Sequence, residues 1–389
     1  LHAHAEDSTH TAGTRPELLQ AAKRSGVRIV MLSDHVRKER DFINDSWRGL
    51  KDGVLFIPGA ESEGFLAYPT ASIQNKKWQT RAGFIDLIKQ GRGNIFLSHV
   101  EEKLDWETDG VDGLEIYNHH TDIKDEAEFT LWLRASFTDP VRLFEIDRAL
   151  SEFPDEVFAS QQDYLTDVIQ KWDHDTQKHR LTGVAANDCH HNQVFTVTAI
   201  NEETVELGYI TSRPTTTRVT VSQSPGIGAM LKNRRAGELI AKLDFDPYER
   251  SLSYVTTHIL TRSLSEDEVR EALGSGRAYV SHDWLCDPTG FAFVGEFGPS
   301  AASAGPRRKK AAPVVMGGEV QLKKGLVLRA AAPVSCTLKV LRNGVEVKSV
   351  HSSDVEFRPM QSGVYRIEAW LTLDDEMRPW IYSNPIYVR

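Results

Sequence analysis

Apolar positions fall into short runs separated by amphipathic stretches. Residues 14–26 predict a helix. Thr14 and Glu17 make a capping box, Pro16 sits in the first turn, Leu18, Leu19, Ala21 and Ala22 form one apolar stripe, and Gly26 ends it. Runs at 27–32, 54–57, 94–97, 113–117 and 181–186 read as buried strands. Helices are expected over 80–90, 124–137, 141–152 and 160–174. Short apolar strands alternating with helices predict a parallel β/α architecture. Farther along, 215–221 reads as a single strand, 226–243 as partly helical, 265–273 as a helix capped by Ser265, and 277–281 as a strand.

Residues 298–313 are rich in Gly, Pro, Ser and Ala and carry the basic run Arg307-Arg308-Lys309-Lys310, which reads as a solvated linker. Beyond it the hydrophobic period becomes two, and Asn343-Gly344 between apolar runs signals a hairpin. Residues 314–389 are therefore expected to form a small antiparallel β-sandwich, preceded by a domain over 1–297. The opening Leu1-His2-Ala3-His4 reads as the end of a strand that starts upstream. A truncated N-terminus is expected, so localisation is not legible.

Composition narrows the function classes. A chain of 389 residues has room for two to three domains at about 150 residues each. Lys+Arg 46 against Asp+Glu 55 gives a net charge of −9, a poor match to nucleic-acid binding. No apolar run reaches the roughly 18 residues of a membrane span. Cys189, Cys286 and Cys336 are odd in number and far apart, which excludes a disulfide framework or a Cys-x-x-Cys site. No Gly-x-Ser-x-Gly, P-loop or Gly-x-Gly-x-x-Gly motif is present, against a serine hydrolase, a nucleoside triphosphatase or a dehydrogenase. A small-molecule substrate is expected, and the oligomeric state is open.

The chemistry lies at strand ends. His2 and His4 follow Leu1; Asp34-His35 follow 27–32; Glu61 follows 54–57; His99 follows 94–97; Asn118-His119-His120 follow 113–117; Asp188 and His190 follow 181–186. In a parallel β/α barrel such ends converge on one mouth. Imidazoles and carboxylates gathered there would be costly to bury without cations. About nine N/O donors exceed the four that one zinc takes, so two or three divalent ions, Zn, Mn or Fe, are expected.

These motifs, in this order, resemble those of the PHP (polymerase and histidinol phosphatase) superfamily over residues 1–290. The C-terminal β region and the Gly276–Val280 run are most similar to its carbaryl-hydrolase-like branch. The resemblance implies a distorted, TIM-like (β/α)7 barrel with a trinuclear metal site. His2, His4, Glu61 and Asp188 would hold one ion. Glu61 would bridge to a second, completed by His99 and by His120 or His119, with His120 favoured by strand parity. His10, His35 and His190 would hold the third. Glu61 and Asp188 thus serve catalysis, and Asp34 would orient an imidazole or cap a helix.

The chemistry implied is hydrolysis by a metal-bridging hydroxide, with a small phosphate ester the first substrate class and a carbamate, ester or amide the alternative. Arg37, Arg40, Arg218 and His282, near predicted strand ends, are candidates for substrate contact. The non-enzymatic alternative is a metal-stabilised binding module whose β-domain takes the ligand.

Overall fold

Helix Arg15–Arg24 starts where its capping chemistry places it. The Thr14 side chain accepts from the Glu17 amide, and the Glu17 carboxylate accepts the Thr14 N–H at 2.8 Å. Its buried face, Leu18, Leu19, Ala21 and Ala22, packs on Val30, Val54 and Phe56. The computed structural model describes residues 1–124, 127–210, 215–297 and 312–389. The 298–311 part of the expected linker lies outside the described residues.

Two sheets carry the strand ends of interest. One has the order Ile29–Met31, Val54–Ile57, Gly49–Lys51; its first pair is parallel. The other runs Ala60–Ser62, Phe65–Tyr68, Asn94–Leu97, Gly113–Asn118, Thr182–Ala186. Its first two pairings are antiparallel and its last two parallel. Every position of the Val54–Ile57, Asn94–Leu97, Gly113–Asn118 and Thr182–Ala186 strands is buried, as expected of apolar runs covered on both faces. The sheets are stitched together at both edges. Ala3 bridges in parallel to Leu32 and to Cys189. The Glu61 amide donates to the Ser33 carbonyl at 2.9 Å.

The fold is mixed α/β, but its strand order departs from a regular (β/α)7 alternation. Among the described residues, 22 strands stand against ten α-helices, so strands dominate. One cause is local. Glu63 and Gly64 both take positive φ (56° and 84°), the mirror-image turn that folds a two-residue hairpin. The hairpin returns Phe65–Tyr68 antiparallel, a strand inserted between the expected 54–57 strand and 80–90 helix.

Residues 194–244 also differ from expectation. Val194–Asn201, Thr204–Ile210, Thr215–Thr220 and Leu239–Asp244 form a four-stranded antiparallel sheet, and only Ile227–Leu231 is helical within 226–243. Val197, Ala199, Val205 and Leu243 supply its apolar face, covered by Phe137, Leu143 and Ile146 from the preceding helical region.

The C-terminal strands share one sheet with strands that precede the linker. In its order, Thr256–Ile259 and Ala278–Ser281 lie beside Glu376–Ser383, followed by Gly363–Leu373, Leu326–Arg342, Ala292–Phe297 and Val314–Val315. Val345–Phe357 pairs antiparallel with Leu326–Arg342 across the Asn343-Gly344 turn. Asn384 fastens this sheet to the strand below the site: its side-chain oxygen accepts the Gly183 N–H at 2.7 Å, and its amide donates to the Gly183 carbonyl at 3.0 Å. No helix among the described residues is long and apolar enough to cross a membrane. Cys189, Cys286 and Cys336 are all unpaired.

Candidate metal centre

Ala3 is held between Leu32 and Cys189, so the alternation of an extended segment sends its neighbours His2 and His4 to the opposite side together. His35 follows the Ile29–Met31 strand. Glu61 lies in Ala60–Ser62. His99 follows Asn94–Leu97, and Asp188 and His190 follow Thr182–Ala186. His99 and Asp188 turn the chain with positive φ, 44° and 48°.

The structure brings these side chains to one place. Asp188 Oδ1 is 3.2 Å from His2 Nε2, 3.2 Å from His4 Nε2 and 3.4 Å from His190 Nδ1. Its Oδ2 lies 3.6 Å from His99 Nε2 and 3.9 Å from His120 Nδ1. Glu61 is divided in the same way. Oε2 is 3.4 Å from His2 Nε2 and 3.5 Å from His35 Nδ1, and Oε1 is 3.3 Å from His99 Nε2. Three overlapping groups place their donor atoms within 4.8 Å of one another: His4, His35 and His190; His2, His99 and Asp188; His2, His4 and Glu61.

The far side of several rings is already engaged, which fixes the atom that faces inward. His2 Nδ1 is 2.7 Å from Glu115 Oε1. A carboxylate only accepts, so Nδ1 carries a proton and Nε2 is the atom left to face the centre. His190 Nδ1 donates to the Asp188 carbonyl at 2.8 Å. His4 Nδ1 is 2.9 Å from Ser8 Oγ. What remains is three buried atoms that face one another, both nitrogens 3.2 Å from the oxygen, and that make no hydrogen bond among the described residues: His2 Nε2, His4 Nε2 and Asp188 Oδ1. Orphaned buried donors of this kind are costly unless something binds them. Mixed imidazole and carboxylate donors suit a divalent transition metal, so the residues present fit such an ion.

Electrostatics agree with a site built for positive charge. Burial would raise the carboxyls of Glu61 and Asp188, but the neighbouring His2 and the other imidazoles hold both well below the usual carboxylate range. Burial works against charge on His99, yet contacts to Glu101 and Glu61 outweigh it and push that imidazole up to about 10. His2 is likewise raised against its burial by Asp188, Glu115 and Glu61. His4 moves the other way, lowered by burial and by His190.

Other residues named from the sequence fall in varied places. Of the pair after Gly113–Asn118, His120 reaches Asp188, while His119 is buried against Phe158 and Tyr254, ring centroids 4.2 and 4.7 Å away. A helix begins at His119, so strand parity ends there. His10 is exposed at φ 69°, its carbonyl accepting from the Asn192 side chain, and it belongs to none of the three groups. Asp34 accepts the Ala5 N–H at 2.8 Å and lies 3.6 Å from Arg40, so it fixes the backbone just after His4. Arg37 has a buried Nε without a hydrogen-bond partner. Arg218 is exposed and paired with Glu206 at 3.2 Å. His282 is wholly buried, 4.4 Å from the Tyr117 ring, and burial followed by His119 pulls it down to about 3.

Sequence reasoning missed Glu115 and Ser8. The one acidic residue inside the apolar 113–117 run was the available signal for Glu115. Nothing in the local pattern marked Ser8.

No family model matches the chain, and no curated protein matches it. A similar solved structure is a two-domain protein from Bacteroides vulgatus, described as containing a predicted PHP-like metal-dependent phosphoesterase. It shares 13% identity at a TM-score of 0.37, with 99% of this chain and 93% of that chain covered.

Proposed function

We propose that this chain is a metal-dependent hydrolase of the PHP kind, acting on a small phosphate ester and resembling the carbaryl-hydrolase-like branch. On this reading the two stitched sheets are a distorted form of that barrel, and the centre takes two or three divalent ions, Zn, Mn or Fe. The observation that carries it is the trio of buried, unpartnered donor atoms, His2 Nε2, His4 Nε2 and Asp188 Oδ1, inside three overlapping ligand groups.

His2, His4, His35, His99, His190, Glu61 and Asp188 would hold the ions, with His120 at the rim. Bound there, divalent cations supply a hydroxide at neutral pH and polarise the attacked group. Glu61 and Asp188 each direct their two oxygens at different imidazoles, the arrangement expected of carboxylates shared between neighbouring ions. Asp34 keeps the His4–Ala5 backbone in place. Arg37, two residues beyond His35, offers the guanidinium for gripping the phosphate, since its Nε is unspent within the protein.

The test is turnover of a chromogenic phosphomonoester, a phosphodiester and an aryl carbamate, with and without chelator. Chelator-sensitive cleavage of a phosphate ester supports the reading. Selective cleavage of the carbamate would replace it with the alternative hydrolase. A metal-loaded protein inert on all three would favour a binding module.

A further inference from the structure

The donor groups overlap and share Asp188, whose carbonyl holds His190, but two buried side chains behind them each serve a different group. The His2–His99–Asp188 group leans on Glu115, a fully buried carboxylate from the centre of the Gly113–Asn118 strand. Its Oε1 takes His2 Nδ1 at 2.7 Å. Its Oε2 accepts the His99 backbone N–H at 2.8 Å and the Asn118 amide at 3.1 Å. One side chain therefore sets the tautomer of His2 and also holds the left-handed backbone of His99.

The His4–His35–His190 group leans elsewhere. Ser8 Oγ, fully buried, accepts the His35 backbone N–H at 3.0 Å and lies 2.9 Å from His4 Nδ1. His190 is held by the Asp188 carbonyl. Among the hydrogen bonds of the described residues, none joins Glu115 to His4, His35 or His190, and none joins Ser8 to His2 or His99.

We propose that the centre contains two cation positions with separate positioning residues, Glu115 for the His2–His99–Asp188 position and Ser8 for the His4–His35–His190 position, so that each can be emptied without the other. This rests on the metal-centre reading above. The chemistry of substitution is unequal. Glu115→Gln leaves one acceptor oxygen for donors on both sides, so its amide N–H₂ must face either the His2 Nδ1–H or the His99 N–H. Ser8→Ala removes at once the acceptor of the His35 N–H and the hydroxyl that meets His4 Nδ1. Ser8→Thr keeps the hydroxyl.

The experiment is Co(II) titration of chelator-stripped protein, read by stoichiometry and visible absorption, with circular dichroism as the check on folding. Wild type takes at least two Co(II). Glu115→Gln weakens one of them by about 10- to 100-fold and spares the other. Ser8→Ala weakens the one that Glu115→Gln spares, the absorption bands lost differ between the two variants, and Ser8→Thr restores them. Glu115→Asp, which keeps the charge at shorter reach, weakens the same ion as Glu115→Gln and replaces it should that variant not fold. The proposal is overturned if both variants weaken the same ion, if either empties both positions, if neither changes binding, or if wild type takes a single ion. Wild type that takes no Co(II) removes the metal-centre reading itself.

Discussion

Arg366 and Asp173 meet in a two-pronged contact, Nε to Oδ1 at 2.6 Å and Nη2 to Oδ2 at 2.7 Å, although 193 residues separate them in sequence. Glu368 takes a third guanidinium bond at 2.7 Å and is itself held by the Tyr164 hydroxyl at 2.8 Å. The Trp172 ring lies 5.2 Å from the guanidinium. Arg366→Met would leave Asp173 and Glu368 buried without their cation. A loss of about 3–5 kcal/mol is expected. Urea unfolding of the whole chain checks it; a change below about 1 kcal/mol would show the contact to be ornamental.

Glu61→Gln tests the centre directly. The amide keeps the shape but loses the charge that divides between His2, His35 and His99. Metal affinity should fall by more than the roughly 100-fold typical of losing a supporting residue, and turnover with it. Metal analysis after gel filtration reads the first and phosphomonoester hydrolysis the second. Full metal content with full turnover would dismiss Glu61 as a ligand.

Protons and metal should compete. His99 is pushed up to about 10 by Glu101 and Glu61 against its burial, so in stripped protein it is charged at neutral pH. Its folded pKa exceeds the ordinary value. The stabilisation from its charge is therefore complete below about 6.5 and is lost as pH rises through about 10. A metal must expel that proton. Affinity should climb with pH, about tenfold per unit for each proton released, between pH 6 and 8. Competition with a chelator of known pH dependence measures it, and a flat profile would contradict the assignment.

Arg37→Met separates substrate grip from metal binding. One charge-assisted contact is worth about 1.5–3 kcal/mol, so kcat/KM on a phosphomonoester should drop about 10- to 100-fold with metal content unchanged. An uncharged aryl carbamate should feel little of this. Equal losses on both substrates would point to a structural role for Arg37.

Much of the site was legible because its residues sit at the ends of strongly apolar strands. Val54–Ile57 and Asn94–Leu97 are buried throughout, and the polar residues after them had nowhere else to go. The capping box at Thr14 was equally local. What escaped depended on partners remote in the chain. The Val194–Asn201 and Leu239–Asp244 strands are Thr-rich or half-exposed, and the ladder carries irregularities at Thr204/Val205 and Leu239/Ala241, so the period of two is blurred. Glu115 stands in an apolar run without a local partner, because His2 and His99 come from other parts of the sequence. The Glu63-Gly64 turn was readable in principle. Glu is an unusual residue at positive φ, so the Glu-Gly pair is a weaker turn signal than Asn-Gly or Asp-Gly.

The seam between Ala278–Ser281 and Glu376–Ser383 constrains how such a molecule can be rearranged. Val280 lies opposite Tyr382, and two residues farther along Asn384 grips Gly183, in the strand that leads to Asp188. A module grafted in place of the C-terminal region would have to bring its own complementary strand in register, followed by a side chain able to clasp that glycine. A replacement lacking either feature would leave the Gly183 amide and carbonyl without their partner and loosen the strand that carries Asp188.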